Sequence, residues 1–206
     1  MFLEMIKSIV LGIVEGISEW LPISSTGHMI LVNELINNTE GFTASDLYLY
    51  VIQLGAILAV VTLYFHKLNP FSPKKTNAEK ENTWKMWFKV IIACVPAAVI
   101  GLVLDNFMSA WENWQVVSAM LILYGVAFIV VESLHKETKI ESMDDMTYKT
   151  ALLIGLFQVL SIVPGTSRSG ATILGAMLIG CSRSVAAEFS FFLAIPVMFG
   201  VSLLKV

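Results

Sequence analysis

EGISEWLPISSTGH, Glu15 to His28, places two carboxylates, a proline, a Ser-Ser-Thr run, a glycine and a histidine inside apolar sequence, with IKSIVLGIV before it and MILV after it. In hydrocarbon an ionised side chain costs roughly 3 kcal/mol even on mild scales, so such a cluster marks a functional site. Pro22 stops the helix expected over Met1 to Ile17, and Gly27 reopens an apolar piece that runs to Ile36. Each half is shorter than the ~20 residues that span a bilayer. Two short apolar halves around a polar break predict a re-entrant helical hairpin, tolerated only where the break is buried in protein or lines a wet cavity.

The rest of the chain reads as the housing of that hairpin. With 56% hydrophobic and only 14% charged residues, the composition excludes an ordinary soluble domain and predicts an all-α polytopic membrane protein. Spanning helices are expected at Leu47 to Phe65, Val90 to Leu104 (kinked at Pro96), Val116 to Val131 and Val185 to Leu204. Between them lie a polar loop from Lys67 to Lys89, a short acidic turn from Asp105 to Trp114 and a mixed-charge loop from Glu132 to Lys149. Cys94 and Cys181 sit apart in apolar surroundings and read as packing residues. Trp84, Trp87, Trp111 and Trp114 read as interfacial anchors, Trp20 as cavity wall, and His66 and His135 as loop-end residues. Glu188, a charge in an apolar helix, calls for a partner such as Arg183 or a backbone group. The N-terminal apolar run is interrupted by Glu15 and Glu19 with no small-residue cleavage site after it, so it belongs to the mature chain.

The hairpin pattern returns. Sliding the chain by 143 positions superposes Gly12 on Gly155, Glu15 on Gln158, Ser18 on Ser161, Ser24 on Ser167, Thr26 on Ser169 and Gly27 on Gly170. An internal repeat follows. The loops Asn37 to Asp46 and Asp105 to Trp114 carry no lysine or arginine, whereas Lys67 to Lys89 holds six lysines and Glu132 to Lys149 three. The first pair therefore faces out and the second faces the cytoplasm. Three spans separate the two motifs, so the hairpins enter from opposite sides and their tips can meet near the midplane. The predicted fold is an inverted-topology repeat of a re-entrant helical hairpin plus three transmembrane helices, in a single integral membrane domain, 1–206. Repeat one covers 1–132 and a partial repeat two covers 148–206. A complete second unit would end at about residue 274 by the same spacing, so the second repeat is expected to be incomplete, short of two helices, and the chain a truncated product.

The two motifs bring complementary chemistry. Glu15 and Glu19, four apart, share a helix face, and two like charges so close call for a cation between them. Oxygen ligands suit a hard divalent cation, Mg²⁺ or Ca²⁺, with phosphate oxygens completing the shell. Ser24, Ser25, Thr26 and the N–H groups around Gly27 can face one cavity as an anion site, although Ser24 and Thr26 serve equally as helix caps. His28 is placed to accept or donate a proton. In PGTSRSGAT, Pro164 to Thr172, Arg168 is one of only two arginines in the protein, and a guanidinium among Ser167, Ser169 and Gly170 suits bidentate phosphate binding. Gln158 is either structural or substrate-facing. Together the motifs point to a phosphoester or pyrophosphate reached from within the bilayer.

Taken together, E-G-I-S-E-W-L-P-I-S-S-T-G-H, P-G-T-S-R-S-G-A-T and the A-A-E-F-S-F-F-L-A-I-P stretch at Ala186 to Pro196 closely resemble the signature regions of the undecaprenyl-diphosphatase family, the bacitracin-resistance membrane phosphatases. The resemblance runs from Met1 to Val206 and departs from the family only in length, the family's last two spans being absent. It implies that Glu15 and Glu19 form the family's metal-associated carboxylate motif, Ser25 its nucleophile, His28 its general acid/base and Arg168 its essential arginine. It further implies hydrolysis of undecaprenyl diphosphate to the monophosphate and inorganic phosphate with a divalent metal. That reaction recycles the lipid carrier for peptidoglycan and other cell-wall polymers and confers bacitracin resistance, in the bacterial cytoplasmic membrane with an active site opening to the outer face. Either Glu19 or His28 could take the Ser25 proton. The expected partners are the lipid substrate and the bilayer, with homodimer formation open and no nucleic acid. A competing reading is a transporter or flippase of a polyprenyl phosphate lipid, since an inverted repeat with a midplane anion site is also transporter architecture.

Overall fold

The structure, a computed structural model, describes every residue except 1, 39, 40, 110, 112, 135, 136 and 206, and the side chains of the remainder except 46, 105–109, 114, 204 and 205. His135 and the Trp114 side chain therefore lie outside the described residues. The described chain is helical, in the order α1 (Phe2–Ser18), α2 (Ser25–Leu35), α3 (Asp46–Leu63), α4 (Phe65–Leu68), α5 (Asn77–Ser109), α6 (Trp114–Ser133), α7 (Tyr148–Gln158), α8 (Arg168–Ile179) and α9 (Arg183–Lys205). A 3-10 turn, Val159–Ile162, extends α7. Among the described residues three stretches are long and apolar enough to cross a membrane: Asn77–Leu104, Gln115–Ser133 and Arg183–Leu203. This is an all-α membrane protein. The 18 residues of α3 reach about 27 Å, just under the ~30 Å hydrocarbon thickness, because the chain breaks at Tyr64 where an uninterrupted span to Phe65 was expected.

Two expected loops are helical or anchored instead. The lysine-rich segment becomes helix from Asn77 onward because Thr76 and Glu79 cap it reciprocally. Glu79 Oε2 accepts from the Thr76 N–H at 2.7 Å and Thr76 Oγ1 from the Glu79 N–H at 3.3 Å, which is a capping box. Glu81 and Lys85 then pair at 2.7 Å one turn apart on the exposed face of this helix. At the other end α5 runs through the expected acidic turn to Ser109. The segment before α7 is likewise no free loop. Met143 and Met146 are buried, Lys89 Nζ donates to the Met143 carbonyl at 2.7 Å, and Ile140 bridges to Cys181 in the α8–α9 turn. Glu188 pairs with Lys67 at 2.6 Å rather than with Arg183, which is taken by Glu132. Trp20 packs edge-on against Phe191, centroids 5.2 Å apart. Trp87 donates to the Leu68 carbonyl at 2.8 Å.

The main core lies where α5, α7, α8 and α9 meet, around Phe189, Phe192 and Leu193 of α9, each fully buried. In lipid, helix association rests on close van der Waals packing of small residues rather than on exclusion of water. Gly155 shows it: a Cβ there would come within 2.3 Å of the Ala93 carbonyl oxygen on α5. Gly12, its counterpart 143 positions earlier, has nothing within 4 Å. Gly155→Ala is expected to cost about 1–3 kcal/mol by overpacking, read as a lower thermal unfolding midpoint in detergent, whereas Gly12→Ala leaves the midpoint unchanged.

Candidate active site

Both helix breaks are built alike. Ser24 caps α2 by accepting from the Gly27 N–H at 3.3 Å, and Ser167 caps α8 by accepting from the Gly170 N–H at 3.0 Å. These caps satisfy N–H groups that a helix start leaves open, so the Gly27 and Gly170 amides are used within the protein. Ser24 holds a φ of 66°, in the left-handed region that costs a non-glycine residue about 1 kcal/mol or more. That backbone turn delivers Ser25 to the first position of α2, as the Ser167 cap delivers Arg168 to the first position of α8.

The two breaks meet on one carboxylate. Ser25 Oγ donates to Glu19 Oε2 at 2.5 Å, and Arg168 Nη2 donates to Glu19 Oε1 at 2.7 Å. Glu19 is only 7% exposed, and a buried carboxylate needs this kind of pairing and hydrogen bonding. Ser169 Oγ adds a second link between the breaks, donating to the Leu21 carbonyl at 3.3 Å. The guanidinium is fixed from behind as well. Arg168 Nη1 donates to the Ser190 carbonyl at 3.2 Å, and the Ser190 hydroxyl sits 2.7 Å from that of Thr172, both completely buried.

This cluster lines a cavity of about 230 Å³. The first break contributes Glu19, Ser24, Ser25 and Thr26, and the second contributes Ser161, Thr166, Ser167, Arg168 and Ser169. The remaining wall is Gln53 of α3 with Val197, Met198 and Val201 of α9. Glu15, Gly27, His28 and Gly170 do not line it. His28 Nδ1 lies 2.9 Å from the carbonyl oxygen of Ser24 in its own helix. Glu15 is 2% exposed, one turn deeper than Glu19, and its Oε1 has no hydrogen-bond partner. Its repeat counterpart Gln158 is 1% exposed and its amide is likewise unpartnered. Gln53 escaped the sequence reading. A lone amide in LYLYVIQLGAILAVVTLYF was the available signal.

Among the described residues no three His, Cys, Asp or Glu side chains gather as a ready-made metal site. The nearby oxygens are those of Glu19, engaged by Ser25 and Arg168, and the orphaned Glu15 Oε1 one turn away, outside the cavity wall. Such a set fits a hard cation that takes its remaining ligands from phosphate and water.

A family model described as bacitracin resistance protein BacA matches residues 8–206. The chain belongs to this family. Among similar curated proteins, one from Enterococcus faecalis, named undecaprenyl-diphosphatase, is 60% identical over 209 residues, covering 100% of this chain and 76% of the relative. One of the same name from Limosilactobacillus fermentum is 61% identical over 206 residues, covering 98% of this chain and 75% of the relative. Another, from Streptococcus thermophilus, is 58% identical over 206 residues, covering 98% and 72%. Family membership and the converging motifs thus agree with the resemblance read from the sequence.

Proposed function

We propose that this protein hydrolyses undecaprenyl diphosphate to undecaprenyl phosphate and inorganic phosphate, and so returns the lipid carrier to cell-wall synthesis and confers bacitracin resistance. The observation that carries this is the Ser25–Glu19–Arg168 chain of contacts on the wall of one cavity, in a family whose similar members are named for that reaction. A carrier of lipid phosphates needs the guanidinium but has no use for a hydroxyl hydrogen-bonded to a carboxylate.

The diphosphate enters among the hydroxyls and competes with Glu19 for the Arg168 guanidinium, whose fork suits phosphate oxygens. Glu19 takes the Ser25 proton. Its Oε2 already accepts from Ser25 Oγ, whereas His28 faces the Ser24 carbonyl. Ser25 Oγ attacks the terminal phosphorus, the P–O bond to the bridging oxygen breaks, and undecaprenyl phosphate leaves. Water then cleaves the phosphoserine, releasing phosphate. Ser24, Thr26, Ser167 and Ser169 line the anion site, with Arg168 fixed by Ser190. Glu15 and Glu19 would hold a divalent cation, Mg²⁺ or Ca²⁺, which when bound neutralises charge on the diphosphate.

The matching serine caps at positions 24 and 167 support an inverted repeat, units 1–132 and 148–206 of one membrane domain, with α3, α5 and α6 between the hairpins. The lysine-free loops support a site opening to the outer face of the bacterial cytoplasmic membrane. The test is phosphate release from undecaprenyl diphosphate by detergent-purified protein, where transport has no meaning. Release that EDTA abolishes and Mg²⁺ or Ca²⁺ restores is expected; its absence in folded protein would favour a carrier.

A further inference from the structure

We infer that Gln53 is a substrate-binding residue whose amide hydrogen-bonds the phosphate that stays on the lipid. The inference rests on the diphosphatase reading above. Between Val51 and Val61, Gln53 is the only side chain of α3 able to hydrogen-bond. Elsewhere on the helix the hydroxyls of Tyr48 and Thr62 donate to backbone carbonyls, but the Gln53 amide makes no hydrogen bond to any described residue and faces the cavity. Gln53 is half-buried on the cavity wall, so a ligand entering the cavity can reach its amide.

The position selects which phosphate. Arg168 and Ser25 hold the terminal one, whose phosphorus is attacked. The apolar part of the wall, Val197, Met198 and Val201, is where a polyprenyl chain can pass from the cavity to the lipid, and the small cavity leaves that chain little other room. Met198 shares one apolar cluster with Ile57, against which Leu54 of α3 packs, and its Sδ lies 3.6 Å from Arg168 Nη2. Gln53, adjacent to Leu54 and one turn before Ile57, stands beside this apolar wall, where the phosphate carrying the polyprenyl chain would sit. A neutral donor there suits a phosphate that must leave still charged, since it orients the group without the hold of a second cation.

Gln53→Leu keeps the shape and suits an apolar helix, so the variant is expected to fold and melt as wild type. For the full chain in detergent, KM for undecaprenyl diphosphate should rise about tenfold with kcat changed less. Protection against thermal unfolding should shift to about tenfold higher undecaprenyl phosphate, while inhibition by inorganic phosphate stays within about twofold. Unchanged KM and unchanged lipid-phosphate protection would overturn the inference. So would a variant weakened equally towards inorganic phosphate, which would place Gln53 on the terminal phosphate. Wild-type protein without turnover would sink the diphosphatase reading alone, because the lipid-phosphate binding arm still decides Gln53.

Discussion

Ser25→Ala is expected to lower phosphate release by at least about 10³-fold while leaving the folded protein intact. The substitution removes one hydroxyl from the wall of a polar cavity and leaves Glu19 Oε2 without its donor, at a cost of about 1–3 kcal/mol, but Arg168 still satisfies the other oxygen of that carboxylate and the fold survives. The α2 cap is made by Ser24, not Ser25, and survives. What is lost is the oxygen that forms the bond to phosphorus. Wild-type protein quenched in acid during turnover of substrate labelled on its terminal phosphate should carry label on Ser25, and the alanine variant none. Near-normal release by Ser25→Ala would rule out the covalent route and leave direct attack by water, with Ser25 only positioning the diphosphate.

The chemistry was more legible in the sequence than the architecture around it. Charged and hydroxyl residues inside apolar sequence announce themselves, because each is expensive in lipid unless something answers it. Glu19 and Arg168 stand out as charges in apolar sequence and Ser25 as one of three adjacent hydroxyls that the resemblance singles out, and the structure brings the three within hydrogen-bond distance although 149 positions separate Glu19 from Arg168. The Ser24 cap was legible, whereas the one at Thr76 was not. T-N-A-E at Thr76 to Glu79 is a helix start, but it lies within a segment whose six lysines give it the composition of a loop. Partners chosen by three-dimensional proximity were also out of reach. Nothing local to Glu188 indicates Lys67, 121 positions away, nor does anything near Gly155 announce the Ala93 backbone. The placement of His28 turned on a single helical turn. Its ring folds back on the Ser24 carbonyl, which spacing alone does not reveal.

Arg168→Ala is expected to lower kcat by about 10³–10⁵, the range over which an arginine stabilises a phosphoryl-transfer transition state. It is also expected to destabilise the protein. Arg168 and Glu19 side chains are only 14% and 8% exposed, and removing one partner of a buried pair strands the other charge at a cost of about 3–5 kcal/mol. Loss of activity in the single variant could therefore report unfolding rather than chemistry. Glu19→Gln on top of Arg168→Ala separates the two. With the stranded charge gone, the thermal midpoint in detergent should recover towards wild type, while phosphate release stays at the level of the single variant or below, since both the anion clamp and the proton acceptor are then missing. Arg168→Lys should keep the midpoint and recover only part of the rate, because a lysine supplies the charge without the two-pronged donor geometry. A double variant that regained activity together with stability would overturn both the phosphate-binding role of Arg168 and the proton-acceptor role of Glu19.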